Sequence, residues 1–411
     1  MKISAFKICA FFIWPFWGFV SSAFNFFNSK WDNTLLILFS GFIGLNIAIT
    51  SEGPDINRYR DDFINYQVYD FEHLYKYISN YIQLKDGYYD IGIQIINYVV
   101  SRFTDNYHIY FLTIGLIYGI FYAFILKYLS NYYKNIKPSL ILYLLFLCSV
   151  FFLFPTQGIN QFRFWTASAL FITGYLLFSH GQMRGLLLVL LSPLMHIGIG
   201  LLIIGLLISF SLRRIKVKFL VYILPLALTL NLGFHEALQP IVEVIGGSAE
   251  SKFITYTGQM ASERLDAHLN RIWYAAYWRS IALFGFALLS LSFYKKLKYA
   301  SRSTLNLYRL NLIFLFFGLL MQGFYMHFRY YEVFIFLQII FFVKYLYEGN
   351  ILQKMNYLKK IALIFIMLII LMIKIPAALQ FLMPTALISN FITAWFFFDL
   401  QNVSIWHLIG F

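Results

Sequence analysis

Long apolar runs recur throughout this sequence, and they limit what the chain can fold into. Hydrophobic residues make up 60% of the 411 residues and charged residues 12%, whereas soluble domains are about half apolar and a quarter charged. Only helices and closed barrels satisfy their backbone hydrogen bonds inside a bilayer, and a spanning helix needs about 20 apolar residues. The sequence predicts an all-α, polytopic integral membrane protein with about 11–13 membrane helices in one domain, 1–411. The apolar runs are 8–26, 34–50, 107–127, 139–155, 162–179, 185–210, 219–234, 272–293, 306–326, 331–347, 361–382 and, shorter, 385–398.

Basic residues are concentrated in one set of loops between these runs. That set holds 18 of the 32 basic residues but only two of the 18 acidic residues, and such loops stay in the cytoplasm. The loops 51–106 and 235–271 are therefore expected outside. The net charge of +14 follows from this bias and suits anionic lipid head groups, so nucleic acid is not an expected partner. Residues 1–23 alternatively resemble a signal peptide, whose removal would invert the orientation.

The apolar run 185–210 is flanked by Arg184 and by the basic cluster 213–218, which should both be cytoplasmic. A single span cannot place both there, so the sequence predicts two short arms folded back near Pro193–Gly198. An arm of about 13 residues reaches only ~20 Å, less than the ~30 Å hydrocarbon core. His196 should then lie within the membrane, towards its outer half, beside a polar cavity.

Arg163 and Arg329 are both expected at the outer edge of an apolar run. A guanidinium is always charged and binds phosphate through paired hydrogen bonds, so the two arginines could hold a pyrophosphate. Alternatively they extend to the lipid head groups, with Glu332 pairing to Arg329. His196 is a candidate general base or donor to a leaving phosphate, or a structural group. Lys374 is interpreted as extending its amine to the membrane surface.

A dense polar cluster follows the second apolar run. Carboxylates and tyrosines suit sugar hydroxyls, and Asp55 could deprotonate an acceptor, although a solvated charged loop fits the pattern equally. Further along, Ile91–Phe103 has helical apolar spacing and should lie in the membrane interface. Asp86–Asp90 is a weaker candidate for sugar binding, and alternatively it only caps that helix. The candidate sugar-binding residues are Arg58, Tyr59, Asp61, Gln161, His327 and Tyr330.

Several motifs are absent from the sequence. It has no Walker-type phosphate loop, no Gly-x-Gly-x-x-Gly and no Cys/His zinc spacing, which argues against a nucleotide-driven pump or a metalloprotease. We therefore expect neither a cofactor nor a metal. The acidic residues lie in outer loops and not along the spans, unlike those of a proton-coupled carrier.

A set of short motifs appears in a fixed order along most of the chain. The motifs are Gly53-x-Asp55-x-x-x-Tyr59-x-x-x-Phe63, Asp86–Asp90 before an amphipathic helix, Asn160-Gln-Phe-Arg163 with Ala167 and Ala169, Met195-His196, and Arg329-Tyr-Tyr-Glu332. With these motifs in this order and with the predicted topology, the sequence resembles the EpsG-type branch of the O-antigen and exopolysaccharide polymerases, the Wzy-like proteins.

This resemblance implies a GT-C-like, metal-independent glycosyltransferase of the bacterial inner membrane. It would join undecaprenyl-pyrophosphate-linked oligosaccharide units on the outer face, as in lipopolysaccharide or exopolysaccharide synthesis, and a chain-length regulator protein is a conceivable partner. The growing chain would be the donor, and a hydroxyl of the next unit would attack its C1. Arg163 and Arg329 would stabilise the pyrophosphate, and His196 or Asp55 would act as base.

Two other functional classes fit the composition. A lipid-linked oligosaccharide flippase would also be basic, aromatic and polytopic, but its charges should line a central cavity through many spans. A membrane acyltransferase that modifies surface glycans would use a catalytic histidine. A ligase that transfers finished glycan is a close relative of the polymerase, and the sequence alone does not separate them.

Overall fold

Among the residues that it describes, the computed structural model consists of helices joined by turns and loops, and its β-type pairing is limited to one isolated antiparallel bridge between Ile47 and Leu382. The outer loop expected at 235–271 and the turn 322–326 lie almost entirely outside those residues. The described residues are 2–24, 26–27, 31–50, 54–83, 85, 87–133, 139–227, 230, 239–240, 243, 254, 273–293, 297, 300–321, 327–348, 355–400 and 402–408.

Eighteen α-helices are present in the described part of the chain. They are α1 (Lys2–Ile13), α2 (Pro15–Phe24), α3 (Asp32–Leu45), α4 (Pro54–Tyr66), α5 (Phe71–Ile82), α6 (Ile91–Ser101), α7 (Tyr107–Tyr133), α8 (Leu140–Phe152), α9 (Pro155–Asn160), α10 (Phe162–Ser179), α11 (Arg184–Met195), α12 (Gly200–Ser211), α13 (Val217–Tyr222), α14 (Trp273–Ser292), α15 (Arg302–Leu320), α16 (His327–Glu348), α17 (Tyr357–Leu379) and α18 (Ile405–Leu408).

Among the described residues, six helical segments are long and apolar enough to cross a membrane, and five shorter apolar helices accompany them. The predicted all-α, multi-pass membrane fold is confirmed. The long segments are Tyr107–Tyr133, Leu140–Asn160, Ile197–Arg214, Arg302–Leu320, His327–Glu348 and Tyr357–Leu379. The shorter ones are Asp32–Leu45, Ile91–Ser101, Arg184–Met195, Val217–Ala227 and Tyr277–Ser292.

Small residues allow the tightest helix contact in the bundle, between α3 and α7. A Cβ atom on Gly44 would collide with the carbonyl of Phe111, and one on Gly115 would collide with the carbonyl of Ser40. Lipid provides no hydrophobic force between helices, so close backbone approach at glycines is a main source of association. At the centre of the bundle, α16 is buried along nearly its whole length.

The predicted reversal in the run 185–210 is present, and its first arm, α11, is as short as expected at 12 residues. The second arm is longer than predicted, because the helical segment Ile197–Arg214 has 18 residues and is long enough to cross a membrane. Pro193 lies inside α11, and the helix ends where His196 adopts an extended backbone. The chain then returns through α12, whose Phe210 contacts Phe178 at the end of α10. The two arms pack mainly on different neighbours, α11 on α10 and α12 on α15. His196 therefore lies at the turn of a broken helix, covered by protein as the bilayer requires.

The first apolar run, 8–26, does not form one span. It is divided into α1 and α2 at Trp14, because Pro15 lacks the amide hydrogen that a continuing helix needs and disfavours helical geometry before it. The two short helices pack against each other where Gly18 meets Phe11. The run 385–398 forms short 3₁₀ helices, Pro384–Leu387 and Thr393–Leu400.

Helices α4, α5 and α6 pack together at the end of the bundle that carries His196, which we call the site end. The helix expected over Ile91–Phe103 is present as α6. Its face with Ile95 and Val99, followed by Phe103, is exposed, which suits a helix lying in the membrane interface.

Candidate active site

A buried carboxylate, Asp90, joins three parts of the site end. One carboxylate oxygen accepts hydrogen bonds from Arg163 Nη1 at 2.8 Å and faces His196 Nδ1 at 3.1 Å. The other oxygen accepts the backbone N–H of Ile197 at 3.0 Å. The start of α6 is thereby tied to the start of α10 and to the break after α11.

The backbone of Asp90 is left-handed, with φ 63° and ψ 56°, a conformation that aspartate tolerates better than most residues. Burial by itself would raise the pKa of Asp90. The hydrogen bond from His196, together with the charges of His196 and Arg163, outweighs burial and holds this pKa below its usual value. Asp90 makes no capping hydrogen bond to α6, so the alternative that it only caps that helix is wrong. Asp86 lies outside the described residues.

Beside this cluster lies a cavity of about 350 Å³, which we call the cationic cavity. Arg279, Arg329 and Lys374 are in its wall, together with the carboxylates of Asp55 and Glu332. The described charged groups in the wall therefore sum to one net positive charge. The other residues that line it are Gln157, Asn160, Gln161, Trp165, Trp278, Ile373, Ala377, Gln380 and Phe381.

Three charges inside apolar helices meet at Glu332 in this wall. One oxygen of Glu332 accepts from Arg279 Nε at 2.7 Å, and Nη2 of the same guanidinium is 2.6 Å away. The other oxygen accepts from Lys374 Nζ at 2.7 Å, and Lys374 also donates to Gln157 Oε1 at 2.9 Å. The Lys374 amine is thus buried and does not reach for the membrane surface, and Glu332 pairs with these two cations and not with Arg329. Charges within a membrane protein pair because an isolated one is costly there.

Arg329 is bound less firmly than its neighbours. Its Nη2 lies 3.6 Å from Asp55 Oδ2, and its side chain is 32% exposed. The guanidinium also lies over the ring of Phe164, 6.0 Å from the centroid. In the same cavity the buried amide oxygen of Asn160 has no hydrogen-bond partner among the described residues. A weakly held guanidinium and an unpartnered amide suit a polar ligand.

A second cavity, of about 430 Å³, opens on the other side of the first turns of α4. We call it the aromatic cavity, because Tyr66, Tyr69, His73, Tyr77 and Tyr89 are in its wall. Arg58, Asp62 and Arg163 supply its charges, and Asn65, Gly87 and Gln94 complete it. Burial raises the pKa of Asp62 above its usual value, against the opposing charges of Arg58 and Arg163.

Helix α4 contributes residues to the walls of both cavities, Asp55 to the cationic cavity and Arg58, Asp62, Asn65 and Tyr66 to the aromatic cavity. Asp55, Arg58 and Asp62 follow one another at i, i+3 and i+7, which places them on one side of a helix. Arg58 donates to Asp55 at 2.7 Å, so this ion pair links the wall of the cationic cavity to that of the aromatic cavity. The adjoining face is buried and consists of Ile56, Tyr59, Phe63 and Tyr66, the last of which also reaches the aromatic cavity.

The structure brings most of the predicted site residues to this end of the bundle. Asp55, Gln161 and Arg329 line the cationic cavity, and Arg58 and Arg163 line the aromatic cavity. The two arginines predicted to share a pyrophosphate therefore face different cavities. The remaining predicted residues line neither cavity. Four of them are buried, namely His196, Tyr59, His327 and Tyr330, and Tyr330 donates a hydrogen bond to Gly198 O at 2.8 Å. Asp61 pairs with Arg60 at the surface.

Four functional candidates, namely Asp90, Arg279, Glu332 and Lys374, were not predicted for the site, apart from the weaker sugar-binding assignment of Asp86–Asp90. A signal for each of them is present in the sequence. Arg279, Glu332 and Lys374 each interrupt an apolar run, and charges so placed usually pair with one another around a functional site. Asp90 interrupts no apolar run, and its signal in the sequence is its place in the Asp86–Asp90 motif of the family resemblance.

Comparison with known proteins gives one family match. The model of the family described as the EpsG family matches residues 31–387 of the chain. The matched region begins before α3 and includes both cavities, the Asp90 cluster and the broken helix. None of the curated proteins or solved structures that were compared with the chain matches it.

Proposed function

The chain belongs to the EpsG family, and from this premise we propose that it is a polysaccharide polymerase. Its reaction would join oligosaccharide repeat units carried on undecaprenyl pyrophosphate. The observation that carries the proposal is the pair of polar cavities on either side of the Asp55–Arg58 ion pair. A polymerase must hold two lipid-linked saccharides at once, with the acceptor hydroxyl next to the anomeric carbon of the donor.

The cationic cavity suits the pyrophosphate of the donor. As the bond between C1 and the phosphate oxygen breaks, that oxygen takes the electron pair and negative charge develops on the leaving group. Arg329, weakly engaged by Asp55, is the guanidinium best able to turn towards it. Arg279 and Lys374 add positive charge and are held in place by Glu332. Donors that are already oriented stabilise such charge more than mobile ones.

The aromatic cavity suits the acceptor saccharide, since tyrosine rings pack on the apolar faces of sugars while carboxylates and amides bind their hydroxyls. Asp62 and Gln94 are the polar groups placed to do so. Asp55 is at the boundary between the cavities, within reach of an acceptor hydroxyl directed at the donor. We assign it the role of general base: the hydroxyl oxygen bonds to C1 and its proton passes to the carboxylate.

His196 and Arg163 hold the site together through Asp90. His196 lines neither cavity, and its ring packs edge-on against Phe164, the residue over which Arg329 lies. We therefore assign His196 a positioning role. Arg163 has two roles: it binds Asp90, and its guanidinium also borders the aromatic cavity.

The distribution of basic residues supports an orientation with the site end outside. Arg184, Arg213, Arg214, Lys216 and Lys218 lie beyond the other ends of α10, α11 and α12. Positive loops stay in the cytoplasm, so the two cavities would face the periplasm or cell exterior. The family membership and this charge bias together support a location in the bacterial inner membrane.

The proposal is tested by purified protein in nanodiscs supplied with undecaprenyl-pyrophosphate-linked repeat units, with product length read on a gel. Wild type should give a ladder of products. Arg329→Ala should reduce polymerisation about 100-fold, the usual effect of losing one donor to a developing anion. Arg60→Ala, which removes a guanidinium outside both cavities, is the matched control and should keep the ladder.

Other results identify the alternatives. Movement of lipid-linked units across the bilayer without any lengthening would indicate a flippase. Transfer of glycan to a different lipid acceptor, again without lengthening, would indicate a ligase. A normal ladder from Arg329→Ala would refute the assignment of the pyrophosphate to the cationic cavity.

A further inference from the structure

An apolar groove of about 440 Å³ runs between α14 and α17, away from the polar site. Its floor and walls are formed by Ile281, Gly285, Leu288, Leu289 and Ser292 of α14 and by Leu358, Lys359, Ala362, Phe365 and Ile366 of α17. Leu288 is 68% exposed and Phe365 59% exposed. The groove is therefore open to the surface of the bundle that faces lipid.

The same two helices form one side of the cationic cavity. Trp278 and Arg279 of α14, and Ile373 and Lys374 of α17, are in its wall. Ile281, the first residue of the groove, follows Trp278 by three positions and so lies one turn further along the same helix. The groove thus lies on the same seam between α14 and α17 as the cavity, one turn from it along α14 and two turns from it along α17, where Ile366 and Ile373 are seven positions apart.

Because the groove and the cationic cavity lie between the same two helices, we propose that the groove binds the polyprenyl chain of the lipid-linked donor. The inference rests on the proposed function and adds a binding site for the other end of the substrate. An occupant of this path needs an anionic head for the cationic cavity and a long, flexible apolar chain for the seam. A polyprenyl pyrophosphate has both in one molecule.

The length and shape of the groove fit the first few isoprene units of such a chain. Arg279 and Ser292 are 13 positions apart, which corresponds to about 20 Å along a helix axis. Gly285 forms part of the floor, and a Cβ atom there would come within 2.8 Å of Ile366 Cδ1. A helix-destabilising glycine in this position leaves room that a larger residue would fill.

Photocrosslinking in nanodiscs tests the site directly. A benzoylphenylalanine at Leu288 should react with the tail of an undecaprenyl-pyrophosphate-linked saccharide. The matched control is Leu207, which is 59% exposed on α12 and, like Leu288, lies four residues before the serine that ends its helix. Crosslinking should be at least tenfold greater at Leu288. Equal crosslinking at both positions, or adducts at Leu288 with nanodisc phospholipid only, would overturn the proposal.

A second variant gives a kinetic test. Gly285→Leu narrows the groove and should raise KM about tenfold for the undecaprenyl substrate relative to an analogue with two or three isoprene units. An equal change for both substrates would refute the groove. Failure of wild type to polymerise either substrate would refute the proposed function instead, and the crosslinking at Leu288 is read independently of that outcome.

Discussion

Replacing Asp90 by asparagine tests whether this buried carboxylate holds the site end together. Asparagine has nearly the same size and also tolerates the left-handed backbone found here, so the substitution adds little strain. Its amide oxygen can still accept the N–H of Ile197. Its amino group, however, cannot accept from Arg163 or His196, both of which use the other carboxylate oxygen.

The expected loss follows from these contacts. Hydrogen bonds to charged groups contribute about 1.5–3 kcal/mol each, so two of them contribute about 3–6 kcal/mol. The Arg163 side chain is 18% exposed, so water can replace part of the hydrogen-bond energy that it loses. We therefore expect Asp90→Asn to lower the free energy of unfolding by about 2–4 kcal/mol, near the lower end of values for breaking a buried ion pair.

A single buried thiol provides the assay. Cys148 is buried and Cys9 is exposed, so in a Cys9→Ser background a thiol-reactive dye reports unfolding through Cys148 as denaturant is added. Asp61→Asn is the control, because Asp61 pairs with Arg60 at the surface, where such pairs contribute at most about 1 kcal/mol. A loss for Asp90→Asn no larger than that of the control would refute the role given to Asp90.

Four further results are expected. Because its surroundings hold the pKa of Asp90 below 3.8, the stability that its charge provides should be fully present above pH 3.8 and lost as the pH falls further, with the parent approaching Asp90→Asn in the same dye assay. Lys374→Met should lower kcat of polymerisation about 100-fold without unfolding the protein, since Glu332 keeps an arginine partner. Asp62→Asn should raise KM for the acceptor at least tenfold with kcat little changed, as measured by acceptor titration. Gly44→Leu should collide with the carbonyl of Phe111 and cost at least 1–3 kcal/mol in denaturant titration.

The sequence determined the class of fold, because backbone groups in lipid must be satisfied within each segment and apolar length then reveals the spans. It also located the broken helix. Basic residues on both flanks of 185–210 required a reversal, and Pro193 marked its place. The interfacial helix followed from the spacing of its apolar residues alone. All three are local properties, readable from neighbours in the chain.

The pairing of charges was decided by the tertiary structure. Arg329 and Glu332 are one helical turn apart, which suggested a pair, yet Glu332 is turned to Arg279 and Lys374 from two other helices. In the same way Arg163 and Arg329 line separate cavities, and α4, which lies far from both in sequence, contributes to the walls of each. A local sequence pattern predicts which residues share one face of a helix. It does not predict which other helix packs against that face.

Asp90 shows most clearly how a local sequence pattern and the tertiary structure differ in what they determine. By sequence it is one more acidic residue before a helix, where an N-cap is the ordinary role. Its left-handed backbone turns the side chain away from α6 and towards Arg163 and His196, 73 and 106 positions later in the chain. The sequence determined which charged residues a membrane protein has to accommodate, and an unpaired charge there costs free energy. Only the packing of distant helices decided which of them neutralise one another, because that depends on distances in space between residues remote in the chain.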